Sequence, residues 1–285
     1  RWVGDSNLGI VRGVGSEVTR FKVGDRVVCS QHHQSGYVAP EWGDEDATRI
    51  VRVPEGVASE DAVYTHLYSL SGFCYRKAQF RPGEYVAVVG VGLLGLGAIA
   101  LGPIYGAQVV AIANSPVRLE MAKKMGAHAG FLSDDPDLQA KLDEFSHGNG
   151  IDLVILTANP WPAYRTAVEI VRRNGRVSVV ALQGRGEAEL DFNPLWTGYF
   201  WAKGISLIAA NGEAEDTYPG ETGKRWSAER RGEHILELME DGRLHPSNLI
   251  SHRMHYTETV KAYQMMGTRE KNMLGVVFDW TDVEG

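Results

Sequence analysis

The residues with the clearest chemistry in this chain are glycines. The apolar run Tyr85-Val-Ala-Val-Val89 ends directly in Gly90-Val91-Gly92-Leu93-Leu94-Gly95, and an apolar helical pattern follows. Glycines at this spacing, between a buried strand and a helix, suit the pyrophosphate of a dinucleotide. Gly90 would permit the tight turn, Gly92 would let phosphates approach the backbone, and Gly95 would let the helix pack close on the strand. The opening turn of the helix, Leu93 to Gly95, would then offer unpaired N–H groups and the positive end of its dipole. The alternative is a glycine-rich strand-to-helix turn that holds no ligand.

The end of the next strand bears on which dinucleotide would fit. A carboxylate there accepts hydrogen bonds from the ribose hydroxyls of NAD. Here the run is Val109-Val-Ala-Ile-Ala113-Asn114-Ser115-Pro116-Val117-Arg118, without an acid. Ala113 carries no charge to repel a 2′-phosphate, Asn114 and Ser115 can hydrogen-bond one, and Arg118 can neutralise it. NADP is the expected coenzyme and NAD the alternative. Asn114 and Ser115 would also serve simply as caps of a helix whose first residue is Pro116.

The elements that must position these groups come from the rest of the 285 residues, of which 33 are glycine and two are cysteine, with a net charge of −7. The acidic balance argues against nucleic acid or anionic membrane as a partner, since both demand a basic face. Two cysteines, Cys29 and Cys74, make neither a disulfide framework nor a four-cysteine zinc site, so a reducing, cytoplasmic setting is expected. No apolar stretch reaches the roughly 20 residues of a membrane-spanning helix. The first residue is Arg1 and no targeting pattern follows it, so a truncated or processed chain is expected.

Residues 8–28 alternate apolar and polar positions between glycines, the pattern of short antiparallel strands. Residues 29–49 read as a polar loop, Ile50 to Val53 as a strand, and Ser59-Glu60-Asp61 as a helix start. From Tyr85 onward, apolar runs at 85–89, 108–113, 153–157, 176–182 and 205–209 alternate with helical patterns such as 116–125 and 163–173. Strands buried on both faces with intervening helices predict a doubly wound parallel sheet. A helix around Glu229 to Glu240 and a strand from Leu274 to Trp280 close the chain.

Several segments together resemble the medium-chain dehydrogenase/reductase superfamily, which holds zinc alcohol, polyol and threonine dehydrogenases beside zinc-free quinone and enoyl reductases. They are Gly9-Ile-Val-Arg-Gly-Val-Gly15, Val18-Thr-Arg-Phe-Lys-Val-Gly-Asp-Arg-Val27, Arg81-Pro-Gly-Glu84 leading into the glycine fingerprint, Arg118-Leu-Glu-Met-Ala-Lys123, Asn174-Gly-Arg-Val177 and Gly275-Val-Val-Phe-Asp-Trp280. The resemblance implies an α/β fold: a Rossmann coenzyme domain over residues 73–211, and a truncated GroES-like, β-rich catalytic domain from residues 1–72 and 212–285 whose first strands are missing. It implies a substrate cleft between the domains, with Thr157, Ala158, Leu182 and Ala209 lining the coenzyme crevice. It also implies hydride exchange between an alcohol and a carbonyl compound and a homodimer or homotetramer; the family's structural zinc is expected to be absent, since the chain passes from Val28 through His32-His33 to Pro54 with a single cysteine. The segments 237–244 and 249–253 look most like the polyol and threonine branch. Reduction of an activated carbon–carbon double bond, and dinucleotide binding without turnover, are the competing functions.

The likeness departs from the zinc enzymes at their catalytic metal. The position of the family's Gly-His-Glu histidine reads Asp5, its later cysteine position reads His66, and the loop with its early cysteine lies before Arg1. In one reading Asp5, His66 and His33 (or His32) make an altered metal site. In another no metal binds, and His66 with a hydroxyl such as Tyr64 or Tyr68 supplies a proton. In a third these are ordinary structural residues.

Other residues point less clearly to chemistry. Trp161 sits between two prolines, and Trp196, Tyr199, Phe200 and Trp201 make an apolar cluster suited to a pocket wall or an interface. Lys224, Arg225 and Arg230 are cations that could reach a phosphate or remain solvated. His252 and His255 have no evident partner, and Cys29 and Cys74 read as structural.

Overall fold

The computed structural model describes Gly4 and residues 6–41, 50–211, 227–268 and 273–283. In chain order the elements are β1 (Asn7–Ile10), β2 (Arg26–Cys29), β3 (Val51–Arg52), α1 (Ser59–Ala62), α2 (Thr65–Lys77), β4 (Tyr85–Val89), α3 (Leu93–Tyr105), β5 (Gln108–Ala113), α4 (Pro116–Lys124), β6 (Ala129–Leu132), α5 (Leu138–Phe145), β7 (Ile151–Leu156), α6 (Trp161–Ile170), β8 (Val171–Val179), β9 (Ser206–Ala209), α7 (Ala228–Glu240), β10 (Ile250–His255), α8 (Thr259–Gly267) and β11 (Gly275–Asp279). They fall into two compact units, one of Arg1–Ser69 with Ala214–Gly285 and one of Leu70–Glu213.

The second unit is built on six parallel strands in the order β6-β5-β4-β7-β8-β9. Chain order runs outward from β4 to β6, then restarts on the other side of β4 with β7, so the sequence of strands reverses between β4 and β7. That reversal opens a crevice at the carboxyl ends of the two strands, where such sheets take their ligands. The Val and Ile runs form these strands because helices cover both faces. Val86, Ala87 and Val88 of β4 and Leu153, Val154 and Ile155 of β7 are fully buried.

Two segments differ from the sequence expectation. The helix expected to continue to Arg173 stops at Ile170, because Val171 is extended and pairs with Ile151 at the base of the sheet. Arg172 then bonds Asp152 at 2.7 Å, and the strand resumes regular pairing at Arg176. Between residues 126 and 150 the chain adds β6, whose residues are only partly buried, and α5, which turns Leu138 and Leu142 into the core.

In the first unit β2 lies between β1 and β3 with antiparallel pairing, and β10 pairs β11 in parallel. Only the ends of the alternating stretch 8–28 are strand. Val14 and Val23 are exposed, because the chain turns instead: Asp25 accepts the Lys22 N–H at 3.0 Å, and Val11 and Gly24 bond across the turn. Met254, Ala262 and Met273, flanked by Val276 and Phe278, form a small core under α8. Among the described residues, no helix is long and apolar enough to cross a membrane.

Helix α3 lies unusually close to its neighbours. A Cβ on Gly102 would come 2.3 Å from Val109 Cγ2 and 2.6 Å from the Tyr75 hydroxyl, which donates to Ala98 O at 2.7 Å. Gly102→Ala should therefore lower stability by about 1–3 kcal/mol through overpacking, despite alanine's better helix propensity. Thermal denaturation should show a reduced Tm, and an unchanged or raised Tm would contradict the close packing.

Candidate active site

The turn from β4 into α3 assigns each fingerprint glycine a distinct place. Gly90 adopts φ +101°, and a Cβ there would lie 2.7 Å from Ala158 N, Ala158 Cβ and Thr157 Oγ1. Around Gly92 there is nothing within 4 Å of such a Cβ, so this residue faces open space. At Gly95 a Cβ would fall 1.9 Å from Gly90 O, so α3 can start where it does only without a side chain. Gly92 is the N-cap, and Leu96 N–H donates to its carbonyl at 2.8 Å, so the first-turn N–H groups of Leu93, Leu94 and Gly95 precede the helical ladder. With no acid in this first turn, the helix dipole offers an anion uncompensated positive charge.

At the carboxyl end of β5, Ala113 is buried and Asn114 is exposed. Ser115 is the N-cap of α4 and Pro116 is its first residue, as expected, yet the Ser115 side chain makes no capping bond. Its carbonyl alone receives Arg118 and Leu119 N–H, which leaves the hydroxyl available to a ligand. Arg118 is half-buried, and desolvation lowers its pKa. A guanidinium so placed favours an incoming anion.

The carboxyl ends of β7 and β8 border the same crevice. Thr157 Oγ1 donates to Gly90 O at 2.7 Å, which ties the segment after β7 to the glycine turn. Ala158 and Asn159 are bonded in turn to the segment after β8: Gln183 Nε2 donates to Ala158 O at 2.8 Å, and Leu182 N–H donates to Asn159 Oδ1 at 3.1 Å. Leu182 is exposed there, and Ala209 pairs Val179 at the end of β9.

In the first unit, His66 projects from α2 and its Nδ1 lies 2.7 Å from Ser30 Oγ. Ser30 follows β2 directly, and no signal in the sequence linked it to a histidine 36 residues away. The tyrosines expected to serve His66 do not do so. The Tyr64 and Tyr68 hydroxyls are buried without a hydrogen-bond partner, and a Cβ on Gly275 would lie 2.3 Å from the Tyr64 hydroxyl. Burial pushes the Tyr64 phenol up to about 12, so it stays neutral at ordinary pH.

Asp5 lies outside the described residues. His32 Nδ1 bonds Gly4 O at 2.8 Å, and the His33 ring packs edge-on against Phe278 at 5.1 Å. Among the described residues no three of His, Cys, Asp and Glu group as metal ligands would. The cysteines do not help: Cys29 is buried beside Asn7 O, and complete burial raises the Cys74 thiol to about 12. Neither is disposed to be a thiolate.

The remaining candidates are accounted for locally. Trp161 opens α6 and packs edge-on against Tyr164 and Phe192. Tyr199 and Phe200 join the sheet core, whereas Trp196 and Trp201 are exposed. Arg230 pairs with Glu237 at 2.7 Å, His255 with Asp282 and Thr257, and His252 with Ser251. Lys224 and Arg225 lie outside the described residues.

Comparison with known proteins gives one consistent result. The zinc-binding dehydrogenase family matches residues 94–220. The NADP-dependent isopropanol dehydrogenase of Thermoanaerobacter brockii is 27% identical over 305 aligned residues, covering 95% of this chain and 82% of that protein. The sorbitol dehydrogenase of Bacillus subtilis is 26% identical over 215 residues, covering 66% of this chain; the chain spans only 61% of that relative's length. Zinc-dependent alcohol dehydrogenase 2 from Streptococcus pneumonia shares the fold with a TM-score of 0.76 at 21% identity, over 99% of this chain and 84% of that one.

The close approach at Gly95 makes a direct test. Gly95→Ala should force α3 away from the Gly90 carbonyl and weaken dinucleotide binding by about tenfold or more, the equivalent of about 1.4 kcal/mol. A fluorescence titration with NADPH measures it, and undiminished affinity would contradict the assignment of this turn to the pyrophosphate.

Proposed function

Because the chain belongs to the medium-chain dehydrogenase/reductase superfamily, we propose that it is an NADP(H)-dependent oxidoreductase that interconverts an alcohol, secondary or polyol-like, and its carbonyl compound. The observation that carries this reading is the acid-free end of β5: beside the glycine turn, the Ser115 hydroxyl is left out of its own helix cap and Arg118 is half-buried. The names of the isopropanol and sorbitol dehydrogenases among its relatives support the substrate class.

Bound at the turn, the reduced coenzyme would supply a hydride to a carbonyl carbon. The N–H groups of Leu93, Leu94 and Gly95 hold the pyrophosphate, and Asn114, Ser115 and Arg118 hold the 2′-phosphate. His66 gives the carbonyl oxygen its proton. Ser30, at the far ring nitrogen, fixes the orientation of the imidazole and exchanges a proton with it. In this reading the proton comes from His66 and no step is routed through a metal.

Two measurements test the reading. Introducing a carboxylate with Ala113→Asp, or removing the cation with Arg118→Ala, should weaken NADPH by about tenfold or more while leaving NADH unharmed, since a charge-assisted contact contributes about 1.5–3 kcal/mol. Equal loss for both coenzymes would contradict the placement of the 2′-phosphate. NADPH oxidation should proceed with ketones or aldehydes in preference to enones, survive chelation, and fall at least about a hundredfold in His66→Ala with NADPH affinity retained. Binding without turnover of any of these substrates would overturn the enzymatic reading, and loss of turnover on chelation would overturn the metal-free proton transfer.

A further inference from the structure

The hydroxyl of Ser71 is given to a main-chain group of another helix. Ser71 lies on α2, in the stretch from Leu70 onward that belongs to the second unit, and its Oγ donates to the Leu94 carbonyl of α3 at 2.8 Å. The residue is completely buried. Small residues let the two helices come this close: a Cβ on Gly72 would lie 2.9 Å from the Tyr105 hydroxyl and 3.5 Å from Leu101 Cδ1. One turn further along α2, the Tyr75 hydroxyl donates to Ala98 O at 2.7 Å. Two hydroxyls on successive turns of α2 thus bond carbonyls on successive turns of α3.

The two bonds act on different peptides. A carbonyl shares its peptide unit with the N–H of the next residue, so a donor at the oxygen polarises the unit and strengthens that N–H as a donor in turn. For Tyr75 the N–H is that of Ile99, in the interior of α3, where the helical ladder uses it. For Ser71 it is that of Gly95, one of the first-turn groups that precede the ladder. The same geometry therefore acts on the body of the helix in one case and on its anion-facing end in the other.

We propose that Ser71 is a positioning residue for the coenzyme: without touching the ligand, it holds the first turn of α3 and polarises the Leu94–Gly95 peptide toward the pyrophosphate. This rests on the NADP(H) reading above. A staple between helices and nothing more would add stability at Ser71 and Tyr75 alike and leave the strength of the anion site unchanged.

The test compares Ser71→Ala, Ser71→Cys and Tyr75→Phe with the unsubstituted protein. Each is titrated calorimetrically with NADPH and with NADH, and the amide resonance of Gly95 is followed by NMR in the coenzyme-free protein. Ser71→Ala should bind both coenzymes about 1.5- to 4-fold more weakly, with the preference between them unchanged because both carry the pyrophosphate. Ser71→Cys, of similar size but a weaker donor, should fall between Ser71→Ala and the unsubstituted protein. Tyr75→Phe should lose stability yet keep its coenzyme affinity. The Gly95 amide should move upfield in Ser71→Ala and stay in place in Tyr75→Phe. Unchanged affinity in both Ser71 variants, a loss in Tyr75→Phe equal to that in Ser71→Ala, or an unmoved Gly95 resonance would overturn the proposal while leaving the coenzyme reading intact. Failure of the unsubstituted protein to bind either coenzyme would overturn both.

Discussion

The contact between the start of α3 and the carbonyl of Gly90 is the constraint on which the coenzyme unit depends. With 1.9 Å between that oxygen and the place a Cβ at Gly95 would occupy, no other residue permits the same approach. The helix thereby begins directly over the end of β4, its first-turn N–H groups beside the open space at Gly92. Thr157 then reaches the same carbonyl from β7 at 2.7 Å, so one main-chain group joins the turn to both halves of the sheet. A loosened turn would disturb the anion site and the reversal point of the sheet together.

The chemistry outside this turn rests on what is missing from places where it would be usual. No carboxylate ends β5, no side chain caps α4, and among the described residues no three of His, Cys, Asp and Glu group around a metal position. The first two omissions have physical consequences. The first removes repulsion toward a phosphate and the second releases a hydroxyl; at the candidate proton donor, His66 Nδ1 lies 2.7 Å from Ser30 Oγ.

Much of this was readable in the residues. The run 108–113 became β5 with the expected limits, and the three fingerprint glycines took the three expected places, because buried parallel strands and close backbone approaches demand particular residue types. The partly buried β6 was not readable, since Gly130 interrupts its short apolar run, whereas the helical spacing of Leu138, Leu142 and Phe145 that marks α5 was a signal passed over. Val171 ended its helix early because pairing with Ile151 outweighed the local helical pattern. The Ser30–His66 bond arises from tertiary proximity, which a lone polar residue in a loop does not announce. The alternation over 8–28 misled because its middle, where Val14 and Val23 are exposed, turns instead of pairing as strand.

The central claim is that an acid-free strand end beside an open glycine turn selects a phosphorylated dinucleotide. Calorimetric titration of the unsubstituted protein with NADPH and with NADH tests it most directly. The account predicts that NADPH binds tighter by about tenfold or more, the effect of one charge-assisted contact to the 2′-phosphate. Equal affinity, or tighter binding of NADH, would contradict it.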